Sequence, residues 1–451
     1  MIDGLKPYAE YRDSGLPWLG RVPAHWLTAR NGSLFGQRSQ TGYAELPILE
    51  VSLKTGVQVR SFGHAGRKQI MSDLGKYKRA VEGDLAYNTM RMWQGALGVC
   101  PVDGLVSPAY VVARPYPGVD ARYFAALFRT GNYMAEIDSA SRGIVKDRNR
   151  LYWDQFKQMQ SPCPPVAEEA AIVRFLDWAN GRLERAIRAK RKVIALLNEQ
   201  KQAIIHRAVT RGLDPGAPRK PSGIPWLGDI PQHWEVSRLK NEFRCLNTQR
   251  VPLNSVERGA MTSRTYDYYG ASGVIDKVDD YLFDDDLLLI AEDGANLVLR
   301  NLPLAIIARG KFWVNNHAHI LKPRRGSIVY LAHVLETLNY KPWISGAAQP
   351  KLTQDRLMSI SIAVAPSDEQ DAIVQKTSEQ TRPLVAAISR LEREIELLRE
   401  YRTRLVADVV TGKLDVREAA ARLPDETAPD VAEDEADMAE ELGSETDGAV
   451  A

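Results

Sequence analysis

Two stretches in the second half of the sequence carry side chains of the kind that hold metal ions. NNHAH places His317 and His319 two residues apart, on one face of a predicted strand, and this spacing suits a metal ion. FDDDLLLIAEDG contains five carboxylates, Asp284, Asp285, Asp286, Glu292 and Asp293, and paired carboxylates can hold Mg²⁺ in nucleases. No third ligand adjoins the histidines and no lysine follows the carboxylates at short spacing. Structural hydrogen bonding or contact with a polyanion is therefore favoured, and no metal site is predicted.

The sequence motifs of common enzyme classes do not occur in the chain. It contains no G-x-x-x-x-G-K-[S/T] phosphate loop, no glycine-rich dinucleotide fingerprint and no G-x-S-x-G nucleophile elbow. It also has no Asn/Asp-Pro-Pro-aromatic motif of the amino-methyltransferase kind. No catalytic residue and no cofactor bound by this chain are predicted.

Polar, aromatic and basic side chains in predicted loops are the remaining candidates for a site. Arg reads guanine edges and Asn and Gln read adenine edges, whereas Lys and Arg also hold phosphates without reading sequence. The candidate DNA-binding residues are Asn88, Arg91, Gln94, Arg142, Lys146 and Arg148 in the first half and Arg264, Tyr266, Tyr269, Asn296, Asn316, His317, Gln349 and Lys351 in the second. For any single member a surface or turn role is an equal alternative, so the prediction rests on the set.

The charge distribution also points to a polyanionic partner. The net charge of +2 hides an acidic tail, because residues 424–451 contain eleven acidic and no basic side chains. Without the tail, 59 basic and 46 acidic residues leave a charge of about +13, which favours a nucleic acid partner. The tail is poor in apolar residues and is predicted to be disordered.

The cysteines and the hydropathy pattern indicate the compartment. The three cysteines are far apart and form no CxxC pair, as expected in a reducing cytoplasm. No run of about 18 apolar residues and no charged-then-apolar leader occurs. A cytoplasmic protein is therefore expected.

One unusual motif occurs twice in the sequence. SGLPWLGRVPAHW begins at residue 14 and SGIPWLGDIPQHW at residue 222, with tryptophans, prolines and a histidine in matching places. This repetition indicates a tandem duplication. We expect Trp18, Trp26, Trp226 and Trp234 to pack the chain against the base of a domain or against the opposite helical rod, on a path stiffened by proline.

A second pair of repeats, beginning at residues 165 and 366, is predicted to be helical. Apolar residues recur at spacings of four and three, which is a heptad seam. The predicted helix-pair core is Leu183, Ile187, Ile194, Leu197 and Ile204 in the first copy and Leu384, Ile388, Leu391, Ile395, Leu398 and Leu405 in the second. Each copy is interpreted as a short helix, a break at Asn180–Gly181 or before Pro383, and a helix of roughly 28 residues, about 40 Å long.

The two helical copies need a partner for their apolar seams. The long helices are expected to stop near Gly212 and Gly412. A single heptad helix cannot bury its seam alone, so an antiparallel pair within the chain is favoured over an intermolecular coiled coil.

The predicted architecture follows from these repeats. The fold class is mixed α/β (α+β), with two globular bodies separated by two long helices that pair as an antiparallel coiled coil, in a pseudo-two-fold duplication. The predicted parts are 1–26 with the first WLG motif, the body 27–162, the helical region 163–214, the linker and second motif 215–234, the body 235–364, the helical region 365–415 and the tail 416–451. The bodies do not obviously match each other in sequence.

From about Gly15 to Asp415 the sequence resembles the specificity subunits of type I restriction-modification systems. The resemblance is carried by G-[LI]-P-W-L-G-x-[VI]-P-x-H-W at 15–26 and 223–234, by GDLAYNTMRMWQGALGV with VSPAYVV, and by YYGASGVID, EDGAN, VNNHAHIL and QPKLTQDRL. The AIV starts of the helical repeats complete it. One departure is Glu169 in place of the usual Gln, found at Gln370, and little consequence is expected from it.

The resemblance implies a division of labour among subunits. Each body would be a target recognition domain that reads half of an interrupted double-stranded DNA site, and the helices would set the spacer. Two methylation subunits would dock on the repeats and methylate adenine with S-adenosylmethionine. Two restriction subunits would use ATP and Mg²⁺. This chain would then supply recognition and assembly without catalysis.

Two other classes of protein stay open from the residues alone. A nuclease or fused methyltransferase would show activity from the purified chain. A coiled-coil adaptor would bind DNA only through a salt-sensitive background.

Overall fold

The protein is described here by a computed structural model covering residues 5–60, 74–142, 149–294, 296–300, 302–346 and 350–424. Its internal contacts divide these residues into two units, with 5–190 and 393–424 in the first unit and 191–392 in the second. The predicted boundaries of bodies, motifs and helical regions stay predictions. Lys146, Arg148, Gln349 and most of the predicted acidic tail lie outside the described residues.

The first unit is built from short strands and short helices. Its strands are β1 (Tyr11–Asp13), β2 (Arg21–Pro23), β3 (Leu27–Arg30), β4 (Phe35–Arg38), β5 (Leu49–Ser52), β6 (Gly56–Val59), β7 (Lys78–Ala80), β8 (Leu85–Asn88), β9 (Leu97–Val99), β10 (Gly104–Val106), β11 (Tyr110–Pro115) and β12 (Gln160–Cys163). Its short helices are α1 (Asn31–Leu34), α2 (Ala121–Phe128), α3 (Gly131–Ala140), α4 (Trp153–Phe156) and, late in the chain, α12 (Arg417–Ala421).

The second unit has a similar composition. Its strands are β13 (Arg219–Pro221), β14 (Asp229–Pro231), β15 (Glu235–Arg238), β16 (Phe243–Cys245), β17 (Tyr266–Gly270), β18 (Gly273–Val278), β19 (Phe283–Asp284), β20 (Leu287–Ala291), β21 (Ala305–Ala308), β22 (Lys311–Val314), β23 (Ala318–Pro323) and β24 (Ser361–Val364). Its short helices are α6 (Leu239–Glu242), α7 (Ser255–Gly259), α8 (Asn296–Leu299), α9 (Ile328–Thr337) and α10 (Gln354–Ser359). The mixed α+β class that the sequence predicts is confirmed.

Two long helices, α5 (Val166–Arg211) and α11 (Ser367–Val410), contribute to both units, because each unit boundary falls inside them. The predicted breaks are wrong, since α5 continues through Gly181 and α11 through Pro383. One glycine costs a helix only about 1 kcal/mol, and Pro383 lies on an exposed face of α11, where its ring does not displace a packed side chain. None of the helices in these ranges is long and apolar enough to span a membrane.

The predicted helix ends are confirmed. Gly212 and Gly412 follow α5 and α11 in the left-handed region, at φ of 72° and 76°. Glycine adopts this conformation without the penalty that a Cβ brings. At Gly412 the space is also restricted, because a Cβ there would lie 2.4 Å from Pro23 Cδ.

The long helices pack against each other, as predicted. In the first unit Lys190 Nζ lies 2.6 Å from Glu394 Oε2, and Glu184 Oε2 lies 2.9 Å from Arg402 Nη1. From Lys190 back to Glu184 along α5, the contacted residue in α11 moves forward from Glu394 to Arg402. The two helices therefore run antiparallel. All predicted seam residues are buried or half-buried, and Ile187, Ile388, Ile395 and Leu405 are the buried ones.

The two units share a sheet that their sequences do not reveal. A four-stranded antiparallel sheet has the order β4-β11-β8-β9 in the first unit and β16-β23-β20-β21 in the second. Each unit also pairs the strand after its WLG motif with the strand before its long helix, as β3–β12 and β15–β24. The units differ in their additions, which are the pairs β5–β6 and β7–β10 in the first and the sheet β18-β17-β22-β19 in the second.

Both shared sheets are covered on two faces. In β20 (LLLIA) every residue is buried, with Leu288 and Ile290 in one hydrophobic cluster and Leu287 and Leu289 in another. Alternate side chains of a strand point to opposite faces. A continuous apolar run is therefore required here, where a one-sided strand would alternate.

Each WLG motif ends in a His-Trp pair that binds the first turn of a long helix. Trp26 Nε1 donates to Glu168 Oε1 at 2.8 Å, and His25 Nε2 lies 2.8 Å from Glu168 Oε2. In the second unit Trp234 Nε1 and His233 Nε2 contact Glu369 Oε2 at 2.9 and 2.7 Å. A carboxylate in the first helical turn also meets the positive end of the helix dipole.

Both of these tryptophans also contact the end of a long helix. Trp26 and Trp234 are fully buried. Cβ positions built at Gly412 and Gly212 lie 3.1 Å from Trp26 and 3.6 Å from Trp234. Each indole therefore packs between the start of one long helix and the end of the other, which agrees with the packing role expected for the motif.

Candidate nucleic-acid interface

Three loop segments converge beside the shared sheet of the second unit. The N–H of Glu292 donates to the carbonyl of His317 at 2.8 Å, the N–H of Leu352 to that of Glu292 at 2.8 Å, and the N–H of Gly294 to that of Pro350 at 3.2 Å. These segments are the EDG, NNH and PKL stretches of the sequence. We call residues 292–294, 315–317 and 350–352 the second-unit loop cluster.

The sheet register accounts for this convergence. β20 and β23 are neighbours and antiparallel, with Ala291 opposite Ala318 and Ile290 opposite His319. The residues that follow β20 must therefore lie beside those that precede β23. The third segment is added by the hydrogen bonds above and by an isolated bridge between Asp293 and Lys351.

Arg250 holds the cluster from one side. Its Nη1 lies 2.6 Å from Glu292 Oε2 and donates to the carbonyls of Asn316 at 3.1 Å and Ala318 at 2.9 Å. Lys351 Nζ lies 3.4 Å from Glu292 Oε1. Burial acts to raise the pKa of Glu292, but the hydrogen bond from Arg250 and the neighbouring cations lower it below its usual value. The carboxylate is therefore ionised, and it binds both Arg250 and Lys351.

The two histidines of NNHAH have different environments. His317 is exposed, and its Nδ1 lies 2.9 and 3.1 Å from the carboxylate oxygens of Asp293. His319 is fully buried, with Nδ1 2.8 Å from Asn247 Nδ2 and Nε2 2.7 Å from the carbonyl of Leu352. Burial lowers the pKa of His319 and favours the neutral ring. In the described ranges no group of three or more His, Cys, Asp or Glu residues is placed to hold a metal ion.

The aspartates before β20 are paired with cations. Asp285 contacts Lys322 and Asp286 contacts Arg309. Both ion pairs are partly exposed, and neither aspartate belongs to the loop cluster, which contains Glu292 and Asp293.

The first unit repeats one of these backbone hydrogen bonds, with different side chains around it. The N–H of Leu151 donates to the carbonyl of Thr89 at 2.9 Å, and Thr89 Oγ1 donates to the carbonyl of Ala109 at 2.9 Å. Residues 88–95, 107–109 and 149–151 therefore form the first-unit loop cluster, beside β8 and β11. The turn at 88–95 carries Arg91 and Gln94, both exposed.

The candidate residues divide into exposed groups and groups that stabilise a turn. In the first unit Asn88 Oδ1 accepts from the N–H of Met90 at 3.0 Å, whereas Arg142 is exposed and its backbone pairs with that of Arg150. In the second unit the structure brings Asn316, His317 and Lys351 together.

Four other candidates of the second unit have structural contacts, and the carbonyl of one of them, Tyr269, accepts from the N–H of Asn315 in the loop cluster at 2.9 Å. Arg264 has a φ of 42° and its guanidinium bonds to Asp276 and to the carbonyl of Arg258. Tyr266 packs on Tyr281, with ring centroids 5.1 Å apart, and Tyr269 packs edge-on against Phe312. Asn296 bonds through its side chain to the backbone of Leu302 and Pro303.

Two residues that lie beside the cluster and support it were not among the sequence candidates. Asn247 and Arg250 lie in CLNTQR, more than forty residues before the EDG stretch. Nothing in that local sequence distinguishes them from an ordinary turn. Only the pairing of β16 with β23, which brings Cys245 opposite Leu321, places them beside the cluster.

The chain is similar in sequence to known proteins. A model of the type I restriction modification DNA specificity domain matches residues 231–397. A putative type I restriction enzyme specificity subunit, S.HindORF215P of Haemophilus influenzae, is 34% identical over 143 residues, which are 31% of this chain and 36% of that protein. The putative type I restriction enzyme MjaX specificity subunit of Methanocaldococcus jannaschii is 24% identical over 428 residues, 88% of this chain and 96% of that protein.

The fold is also found among solved structures. A chain from work described as "Structural basis underlying complex assembly and conformational transition of the type I R-M system" matches with a TM-score of 0.54 at 15% identity, over 86% of this chain and 98% of that one. At this identity the match shows a shared fold. Residues 231–397 therefore match the type I restriction modification DNA specificity domain, and 88% of the chain is similar in sequence to a type I restriction enzyme specificity subunit.

Proposed function

We propose that this chain is the DNA-recognition subunit of a type I restriction-modification complex and that each unit reads one half of an interrupted target. The observation that carries the proposal is the occurrence of two loop clusters on sheets of identical strand order, with different exposed side chains. A common scaffold with different loops is what two readers of two different sequences require. The family match over residues 231–397 supports DNA as the ligand.

The exposed side chains of the clusters suit the edges of base pairs. Arg91 and Gln94 in the first unit and Asn316 in the second can form the bidentate contacts that distinguish guanine or adenine in the major groove. Lys351 and Arg142 suit phosphates. Arg264, Tyr266, Tyr269 and Asn296 are proposed to maintain loop shape, since their polar groups or rings already have partners within the protein.

The long helices are proposed to serve assembly and spacing. Two methylation subunits would dock on the repeated helical regions, and two restriction subunits would join them. S-adenosylmethionine, ATP and Mg²⁺ would be held by these partners, and this chain would be non-catalytic. The antiparallel pairing of α5 with α11, seen in the first unit, supports this role.

Mapping of methylated adenines tests the proposal directly. The chain would be co-expressed with its methylation subunit in a host that lacks adenine methylation, and modified adenines would be mapped by single-molecule sequencing. A two-part interrupted motif that disappears without this chain is the expected result. A soluble, assembled complex that modifies no motif would contradict the proposal and favour an adaptor.

The purified chain alone distinguishes recognition from catalysis. Binding to target and scrambled duplexes should be compared at one ionic strength, because phosphate contacts make affinity strongly salt-dependent. Strand cleavage with Mg²⁺, or methyl transfer from S-adenosylmethionine, by the chain alone would contradict a non-catalytic role.

A further inference from the structure

His319 makes two hydrogen bonds that join separate segments of the second unit. Asn247 Oδ1 accepts from the N–H of Ile320 at 2.9 Å, which orients the amide so that its Nδ2 faces His319 Nδ1 at 2.8 Å. Nδ1 therefore accepts, and the ring proton is on Nε2, which donates to the carbonyl of Leu352 at 2.7 Å. A buried neutral imidazole in this tautomer has both nitrogens satisfied.

Both partners of His319 lead to the loop cluster. Leu352 follows Lys351 and donates its own N–H to the carbonyl of Glu292 at 2.8 Å. Asn247 begins the short turn that ends in Arg250, whose guanidinium holds Glu292 and the carbonyl of Asn316. The imidazole thus connects, from behind the surface, the segments that expose Asn316 and Lys351.

The shared sheet itself does not require a histidine at this position. Val111 faces Tyr87 across β11 and β8 just as His319 faces Ile290 across β23 and β20, and Val111 is buried among apolar residues. A polar ring in such a place is costly unless both of its nitrogens are bonded. A role in holding the loops accounts for its presence in the second unit, whereas packing alone does not.

We propose that His319 is a positioning residue that holds the Lys351 segment against Glu292 and the Asn316 turn, and thereby sets the base preference of the second unit. This inference rests on the proposed function. His319 would not touch DNA. It would act through the placement of the exposed side chains, which must be accurate for bidentate readout of a base edge.

Three substitutions separate the two hydrogen bonds from packing. His319→Asn keeps an acceptor near the Nδ1 position, His319→Gln keeps a donor near the Nε2 position, and His319→Val copies the residue of the first unit. His333→Gln is the matched control, since His333 is a half-buried histidine of α9 in the same unit and belongs to neither loop cluster.

The readout is the base preference at every position of both target halves, mapped by adenine methylation with the full complex. His319→Val and His319→Asn should reduce discrimination about tenfold or more at positions of the half assigned to residues 191–392, since one mismatch typically costs 1–3 kcal/mol. His319→Gln should keep most of it through Leu352. The other half and the His333→Gln control should be unchanged.

The outcomes separate this inference from the proposed function. Unchanged preference in an assembled His319→Val complex overturns the positioning role and leaves the proposed function intact. If the Val variant fails to fold, the other two decide, because equal preferences in the Asn and Gln variants overturn the role and a selective loss in the Asn variant supports it. A wild-type complex that modifies no motif overturns the proposed function and this inference with it.

Discussion

At the scale of single residues, the WLG motifs show why a tryptophan and not merely an aromatic ring is needed. Trp26 and Trp234 fill buried space and also donate an indole hydrogen to a carboxylate at the start of a long helix. The preceding histidine bonds to the same carboxylate in both units. Phenylalanine could provide the packing without the hydrogen bond.

Trp234→Phe should destabilise the second unit by about 2 kcal/mol, because it removes a charge-assisted hydrogen bond to Glu369. Trp226→Phe is the matched control, since the indole N–H of Trp226 is buried without a hydrogen-bond partner among the described atoms. The control should cost less than about 1 kcal/mol. Denaturant unfolding of the full chain measures both, and equal losses would show that packing alone explains the motif.

Glu169 and Gln370 occupy matching positions near the starts of the two long helices. They differ because glutamine has an amide N–H₂ that can donate hydrogen bonds and an ionised glutamate has none. Gln370 accepts from the N–H of Ser327 at 2.9 Å and donates to the carbonyl of Ala365 at 2.9 Å. Glu169 accepts from the N–H of Asp120 at 3.2 Å but, when ionised, has nothing to donate. Burial raises the pKa of Glu169 from 4.5 to about 7, and the departure from the family pattern therefore has a consequence that the sequence alone did not suggest.

Glu169→Gln should make the first unit more stable above pH 7. Because the pKa of Glu169 is raised in the folded state, its contribution to the free energy of unfolding is fully present below pH 4.5. That contribution is lost as the pH rises from 4.5 to about 7 and stays lost above pH 7. The loss amounts to at most about 3 kcal/mol. Unfolding of both chains at pH 5 and pH 8 tests this, and a stability difference between them that is independent of pH would contradict it.

At the scale of elements, the two long helices accommodate residues that would end a shorter helix. Gly181 lies within α5 and Pro383 within α11. Local propensity favours a break at both places, but packing of the long helices against each other offsets it. Replacing either residue with a better helix former should therefore increase the free energy of unfolding.

Gly181→Ala should stabilise the chain by up to about 1 kcal/mol and Pro383→Ala by about 1–3 kcal/mol, because alanine is the better helix former. A Cβ at Gly181 meets only Arg185 Nη1, at an ordinary 3.5 Å. Gly412→Ala is the contrasting control and should destabilise, since its φ is 76° and its Cβ would clash with Pro23. Thermal unfolding ranks the three, and destabilisation by Pro383→Ala would show that α11 requires a bend at that residue.

At the scale of the whole molecule, the two units contain the same arrangement of main elements. Each unit has a WLG motif, a four-stranded sheet of the same order and parts of both long helices. The units differ in their loops and in the strands added to the sheet. Under the proposed function, this arrangement would allow one recognition unit to change while the other is kept.

Under the proposed function, replacing residues 27–162 with the first body of a type I specificity subunit should change one half of the target and leave the other half intact. Trp26 and Glu168 lie outside the exchanged segment, so the contact between the WLG motif and α5 is preserved. Exchange of residues 235–364 should change the opposite half. Methylation mapping of both chimaeras gives the result, and a change in both halves from one exchange would refute independent reading.

The sequence by itself determined the features that depend on local pattern. The repeated motifs, the heptad seams and the helix ends at Gly212 and Gly412 could be predicted because periodicity and glycine conformation act over a few residues. The polar stretches EDG and NNH could be named as candidates because their residue types are unusual beside buried strands. The resemblance to a family followed from the same motifs.

Only the tertiary structure decided which candidates act together. Asn247, Arg250 and His319 support the loop cluster because β16, β23 and β20 are neighbours. Arg264 and Asn296, by contrast, have structural partners elsewhere. The common strand order of the two units and the continuity of α5 through Gly181 were hidden for the same reason. Pairing between distant segments depends on packing of the whole core, and no window of neighbouring residues contains that information.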